Sequence, residues 1–499
     1  MSTDDSARPA PVAVVAADGE ESILAKAGYK PELRRSLRFF SMFAIAFSII
    51  SITTGIFLNY AFGLTYWGPA SIWTWPIVGV GNLMIALVVA ELGTRIPLAG
   101  YAYQWSARMV NPTYGWFVGF AGLLYMTVGG AAIMYTVAAP LLLSEFNVAN
   151  PSARLVFAVA LILMVLPVII NIIRIQVAAR VNNVAVFTEI IGTVVFGVLL
   201  FILWAVKAKP TPYGASILTS TTSTLHNPTI YAFALAGLLG AFTLVGFELA
   251  ADMSEDAVNP VRSVPRGVIW AVAGSAVLGM IALVGFTVAI PDLKTVEASS
   301  LPLLAIAGYW LPSWLVKVFV AFVIFSMFAI LVVGAGAQAR LAYSLARDNM
   351  LPFSGTLRRV NPRTQTPIVA LLVFAVVDIG VTWYGYLQAS AFATLVGATA
   401  IIPYIIYLLI TAGYAYKRRT LDSIPGAFNL GRWAWPVIIF VLVYSALIIF
   451  VLSVPGPFHA ADKVVGYGAG VAALWYAAVL VWRLRRGTAG VKPVEELLD

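Results

Sequence analysis

From Phe39 onward the chain alternates between apolar runs of about 20 residues and short polar gaps. About 20 residues at 1.5 Å each cross roughly 30 Å of hydrocarbon as a helix. The pattern predicts twelve spans, at 39–63, 70–94, 115–140, 153–173, 181–206, 231–252, 264–290, 313–337, 367–386, 389–413, 433–454 and 464–483. No gap between them is long enough for a soluble domain. Two runs are interrupted. The first carries Ser48-Ile49-Ile50-Ser51-Ile52-Thr53-Thr54-Gly55-Ile56-Phe57, and the sixth carries Phe242-Thr243-Leu244-Val245-Gly246-Phe247-Glu248. Ser, Thr and Gly in a row weaken a helix, because side-chain hydroxyls and bare backbone compete with its ladder. Lipid tolerates such a break only where it is buried in protein or lines a cavity.

Composition agrees with a polytopic membrane protein. The chain is 61% hydrophobic and 11% charged, where a soluble domain carries about 25% charge. A net charge of +9 raises the question of nucleic acid. Its distribution answers it: with the N-terminus inside, 25 of the 31 Lys and Arg fall on the cytoplasmic side. That is the positive-inside rule, and it predicts both termini in the cytoplasm with no nucleic acid partner. Trp and Tyr near span ends (Tyr66, Trp67, Trp73, Trp75, Tyr309, Trp310, Trp314) read as the interfacial belt. The absence of Cys, with His226 and His459 both in predicted loops, leaves no constellation for metal binding or covalent catalysis. Residues 1–22 read as a disordered tail, no cleavable signal peptide is expected, and the basic stretch 22–38 reads as a flank that sets orientation or as a regulatory or lipid-contacting helix.

Paired interrupted segments in corresponding halves point to a transporter's binding site. If the first helix unwinds, amides around Ser51, Thr53, Thr54 and Gly55 lose their partners, and the positive end of a half-helix faces the cavity. A carboxylate suits that end and an ammonium suits the freed carbonyls. The same residues also fit a kinked packing face of small side chains. A side chain at Gly55 is expected to fill the ligand's approach. Glu248, just past the second break, and Glu189, roughly 13 Å in from Arg180 along its helix, are acids at membrane depth and hence functional candidates. Glu189 suits a proton carrier or a structural hydrogen bond. Asp252 and Glu255 are expected to be solvated or paired with arginine. Asp378 reads as structural or lumen-facing. Glu91 to Tyr103 reads as a span end and a turn, and Gly334 and Gly336 as close helix packing.

These pieces, in order, resemble the amino acid–polyamine–organocation superfamily, most closely its amino acid/choline transporter branch. The matching text is Ala27 to Ser36, Phe47 to Gly55, Glu91 to Tyr103, Gly246-Phe247-Glu248, Asn259-Pro260 with Val264-Pro265-Arg266, and Ala346-Arg347-Asp348 with Leu351-Pro352. The resemblance implies an all-α membrane fold with a five-plus-five inverted repeat. Residues 39–206 would form the first repeat and 231–413 the second, each with a discontinuous leading helix. Two further helices would occupy 433–483, with tails at 1–38 and 484–499. It implies a substrate carboxylate on the amides of Thr54 and Gly55 with Thr53 beside them. The amino group would meet carbonyls at Ser51 and Ile52 and, at the second break, Phe242 and Val245, with Phe242 capping the substrate. The acid at Glu248 would support the sixth span and affect proton dependence. Sodium-coupled members use hydroxyls of the eighth span, where this chain offers only Ser326. A proton-coupled relative places a lysine on the fifth span, in the region of Glu189.

The expected function is import of a small amino acid across the plasma membrane by alternating access, coupled to protons and without a cofactor. Rivals are a permease for γ-aminobutyrate, choline, ethanolamine or a polyamine, with Phe242, Glu248 and Tyr125 as a cage, a substrate exchanger, and a non-transporting nutrient sensor.

Overall fold

The computed structural model describes residues 24–25, 28–30, 32–33, 35–148, 150–221, 230–299, 301–388, 391–421, 428–453 and 459–491. The predicted disordered tail, His226 and residues 492–499 lie outside them. Among the described residues twelve helices are long and apolar enough to cross a membrane, one for each predicted span. All-helical architecture follows from the solvent: in hydrocarbon each backbone group must be satisfied within its own segment.

The ends differ from the hydropathy reading where helices run on past the apolar slab. The fifth span starts at Ile175 and carries Arg180 inside it, and the eighth runs Ser313–Arg347 with Arg340 and Arg347 in its last turns. The tenth helix ends at Lys417, and His459 opens the last helix rather than sitting in a loop. The gap after the second span is more than a turn: Tyr101–Met109 is a helix, and every residue of it is buried. Local signals place several starts. Pro112 opens the third span, capped by Asn111, whose side chain accepts from the Tyr114 amide at 2.8 Å.

Part of the expected aromatic belt is core instead. Trp75 is fully buried and its Nε1 donates to the Ala276 carbonyl at 2.8 Å, tying the second span to the seventh. Trp310 donates to Ala289 at 2.7 Å, whereas Trp73 and Trp314 are exposed. A tryptophan reads the same in sequence whether its apolar face meets lipid or a neighbouring helix.

The N-terminal segment is docked on the bundle. Ser36 and Leu37 donate their amides to the Asp256 carbonyl at 2.8 and 3.0 Å, and Val258 returns a bond to Leu37 at 2.7 Å. Tyr29 donates its phenol to Asp348 Oδ1 at 2.7 Å, beneath an Arg347 guanidinium 3.5 Å from the ring centre. Burial raises the Tyr29 phenol above its ordinary range, which keeps it a neutral donor. Arg347 also pairs with Glu255 at 3.0 Å, and Arg340 pairs with Asp256. The sixth and eighth spans are therefore joined to the tail at one end of the molecule. Glu255 thus has the arginine expected for it. Asp252 makes no ion pair among the described residues: it is fully buried beside the backbone of Gly100 and Tyr101, at the start of the buried short helix, with Arg340 acting on it only from a distance.

Candidate functional site

The first span breaks at a single residue. One helix ends at Ile50 and the next begins at Ile52, with Ser51 between them at φ 39°, ψ 83°. The expected unwound stretch is thus narrower than the sequence implied, and its amides are occupied in this conformation. Gly55 donates to the Ser51 carbonyl at 3.0 Å and Thr54 to Ser51 Oγ at 3.2 Å. Thr53 donates to Glu189 Oε1 at 3.3 Å. The positive end of the second half-helix therefore already faces an acceptor, the carboxyl group of Glu189, which is 1% exposed. A π-helical turn, Ile190–Val195, follows Glu189 directly and sets the Thr193 hydroxyl against that of Thr53. Such turns recur at functional sites. Ser51 Oγ lies 3.0 Å from Ser326 Oγ. Ser51 and Thr53 thus address the fifth and eighth spans.

The second break spans Leu244 to Gly246. An α-helix ends at Thr243, Gly246 takes φ +88°, and the chain resumes as tighter 3₁₀ turns over Phe247–Asp256. Its loosened backbone is held by side chains from the second and tenth spans. Asn82 donates to the Leu244 carbonyl at 2.8 Å, and Tyr404 donates to the Ala241 carbonyl at 3.1 Å. Tyr407 accepts from the Gly246 amide at 3.2 Å and donates to Glu248. The breaks touch each other: a Cβ on Gly55 would overlap the Thr243 side chain. That glycine answers to protein packing first, a correction to the ligand-only reason expected from sequence.

Thr54, Gly55, Phe242 and Val245 share one cavity of about 100 Å³, together with Tyr125. That is room for several waters or one small solute. Ser51, Ile52, Thr53, Glu189 and Glu248 are not in its wall. Along the eighth span Leu331, Gly334 and Gln338 line the cavity, as does Asp378 of the ninth span. Gly334 has open space where a Cβ would stand, whereas Gly336 packs on Asn171 and Met253. Only the second fits the expected close packing.

A profile of the amino acid permeases matches residues 37–482, nearly all of this framework. The chain belongs to the amino acid permease family. It is accordingly a multi-pass membrane transporter of amino acids or related compounds and a member of the superfamily it resembles in sequence. An uncharacterized amino-acid permease of Schizosaccharomyces pombe is 27% identical over 480 residues, covering 93% of this chain and 85% of that one. Amino-acid permease BAT1 of Arabidopsis thaliana is 25% identical over 88% of this chain and 90% of its own. A GABA-specific permease of Saccharomyces cerevisiae is 26% identical over 89% and 80%.

In this permease, sequence reasoning missed Asn82, Thr193, Gln338, Tyr404 and Tyr407. Asn82 and Gln338 had a usable signal, a lone amide inside an apolar run. The tyrosines had none, because a mid-span Tyr reads as packing until a broken backbone is found opposite it.

Proposed function

We propose that this permease imports a small amino acid across the plasma membrane by alternating access, with protons as the driving ion and both termini in the cytoplasm. The observation that carries the reading is the single cavity walled by both breaks, with Glu189 just outside it at the head of the second half-helix. The substrate enters the cavity between Thr54 and Gly55 on one side and Phe242 and Val245 on the other. Phe242 supplies the apolar cap. The amides of Thr54 and Gly55 come free for a carboxylate once Ser51 releases them, so substrate binding and rearrangement of the first break are one event.

Glu189 links that event to a proton. Ionised, it holds the Thr53 amide and the helix dipole. Protonated, it is a weaker acceptor, its grip on Thr53 loosens, and the half-helix is free to shift. Ser326, the hydroxyl that a sodium site would need, is already engaged with Ser51 and stands against Glu189. That arrangement favours a proton over sodium.

The test is uptake by the purified protein in liposomes, with radiolabelled alanine, serine and γ-aminobutyrate under an imposed pH gradient. Accumulation of an α-amino acid that follows the pH gradient and ignores sodium supports the reading. Accumulation of γ-aminobutyrate alone would move the substrate to the class named for the yeast relative. Binding without uptake would make the protein a sensor.

A further inference from the structure

Asp378 sits near the middle of the ninth span, Ile368–Leu387, and faces the cavity described above. Gln338 Nε2 donates to its Oδ1 at 3.1 Å and to Thr127 Oγ1 at 2.8 Å. Gln338 and the Thr127 hydroxyl both act on this carboxylate, which together fill only part of its acceptor capacity. Three buried acids of this permease are matched with arginine, Glu91 with Arg95, Glu255 with Arg347 and Asp256 with Arg340, whereas Glu189 and Glu248 are held by hydroxyl and amide groups instead. Among the described residues Asp378 has no such cation; its polar neighbours are Gln338 and Thr127. An unpaired carboxylate at membrane depth is costly unless a cation reaches it. The route by which one would reach it is open, because Gly334, one turn before Gln338, leaves free space on the cavity side. The two breaks, with their backbone amides and carbonyls, lie along the same cavity.

We infer that Asp378 is the cation-recognising pole of the substrate cavity, and that among the amino acids this permease imports it prefers those whose side chain ends in an ammonium group. The inference rests on the cavity between the breaks being the substrate site. The α-amino and carboxylate groups are held at the breaks, and the distal cation reaches the Asp378 carboxylate. Gln338 orients the carboxylate from behind.

Thermal-shift titration of the purified protein tests this, since a ligand of the folded state raises its stability by mass action. The probes are lysine, ornithine and norleucine, the last having the carbon chain of lysine without the amine. Lysine should bind the parent protein more tightly than norleucine by about tenfold or more, the weight of one charged hydrogen bond. Asp378→Asn keeps the size and the oxygen that meets Gln338. It should lose that preference while norleucine binding is unchanged, and Asp378→Glu should recover part of it. Norleucine equal to lysine in the parent overturns the inference without any variant. So does an unaltered lysine preference in Asp378→Asn. In either case the site at the breaks stands if Phe242→Ala weakens every probe. If Phe242→Ala changes none of them, the cavity reading itself falls, and the inference with it.

Discussion

Glu189 concentrates the coupling question in one side chain. Its carboxylate meets the Thr53 amide at 3.3 Å and is cut off from water. Glu189→Gln retains an oxygen for that amide but cannot titrate. Substrate binding should stay within about twofold, a few tenths of a kcal/mol, while accumulation driven by a pH gradient is lost and only downhill exchange persists. Uptake measured from acid to neutral external pH reads both; a variant that still follows the gradient makes Glu189 structural. Gly55 raises a different point at the same scale. Its missing Cβ leaves room for Thr243. Gly55→Ala should therefore lower stability by about 1–3 kcal/mol through overpacking, whether or not substrate is present, and Thr243→Gly in the same chain should recover most of it in thermal unfolding. The sequence marked Gly55 as a position of close approach. It could not say what approaches, because a ligand and a side chain 188 positions away impose the same demand.

At the scale of elements, the spans were legible and their stitching was not. Hydropathy reports what a segment dissolves in, so each span appeared near its place, and the runs of Ser, Thr and Gly located both interruptions. Hydropathy is silent on partners that lie far along the chain. Asn82 and Tyr404 reach the second break from 162 and 163 positions away. The buried helix Tyr101–Met109 escaped notice because Glu91 closes the apolar run and Pro97 and Gly100 read as a turn, whereas Gln104 on this helix contacts Asp348 and Ser344, both at 2.9 Å. Tyr407 offers a direct test of the stitching. Its hydroxyl serves two groups, the Gly246 amide and Glu248. Tyr407→Phe keeps the ring and removes the hydroxyl that serves both groups. The cost should be about 1–3 kcal/mol for stranding buried polar groups, seen as a lower unfolding temperature. Transport should slow more than binding weakens, since neither group stands in the cavity wall.

At the scale of the whole molecule, one end of the bundle is held by the docked tail. At the tail end, Tyr29 joins Asp348 and Arg347, Glu32 accepts from Tyr343 at 3.0 Å, and the pairs Glu255–Arg347 and Asp256–Arg340 bridge the sixth and eighth spans. In the alternating access proposed above, opening the cavity toward this end would part the sixth span from the eighth, and the docked tail would oppose that movement. The sequence presented the same stretch as a basic flank. Its docking rests in part on Tyr29, which no charge pattern singles out. Tyr29→Ala removes the ring beneath Arg347 and the donor to Asp348, worth about 0.5–2 kcal/mol for the cation–π contact and about 1.5–3 for the charged hydrogen bond. A bias of that size should raise the fraction of molecules open at the tail end by about tenfold or more. The chain has no cysteine of its own, so a single Leu249→Cys in the cavity wall reports cleanly. An impermeant maleimide applied from the tail side should label it faster in the Tyr29→Ala background, while labelling from the other side slows. Equal labelling in both backgrounds would mean that the tail is anchored to the bundle without governing access. The Arg340–Asp256 pair would then be the next contact to open, since it joins the same two spans beneath the tail.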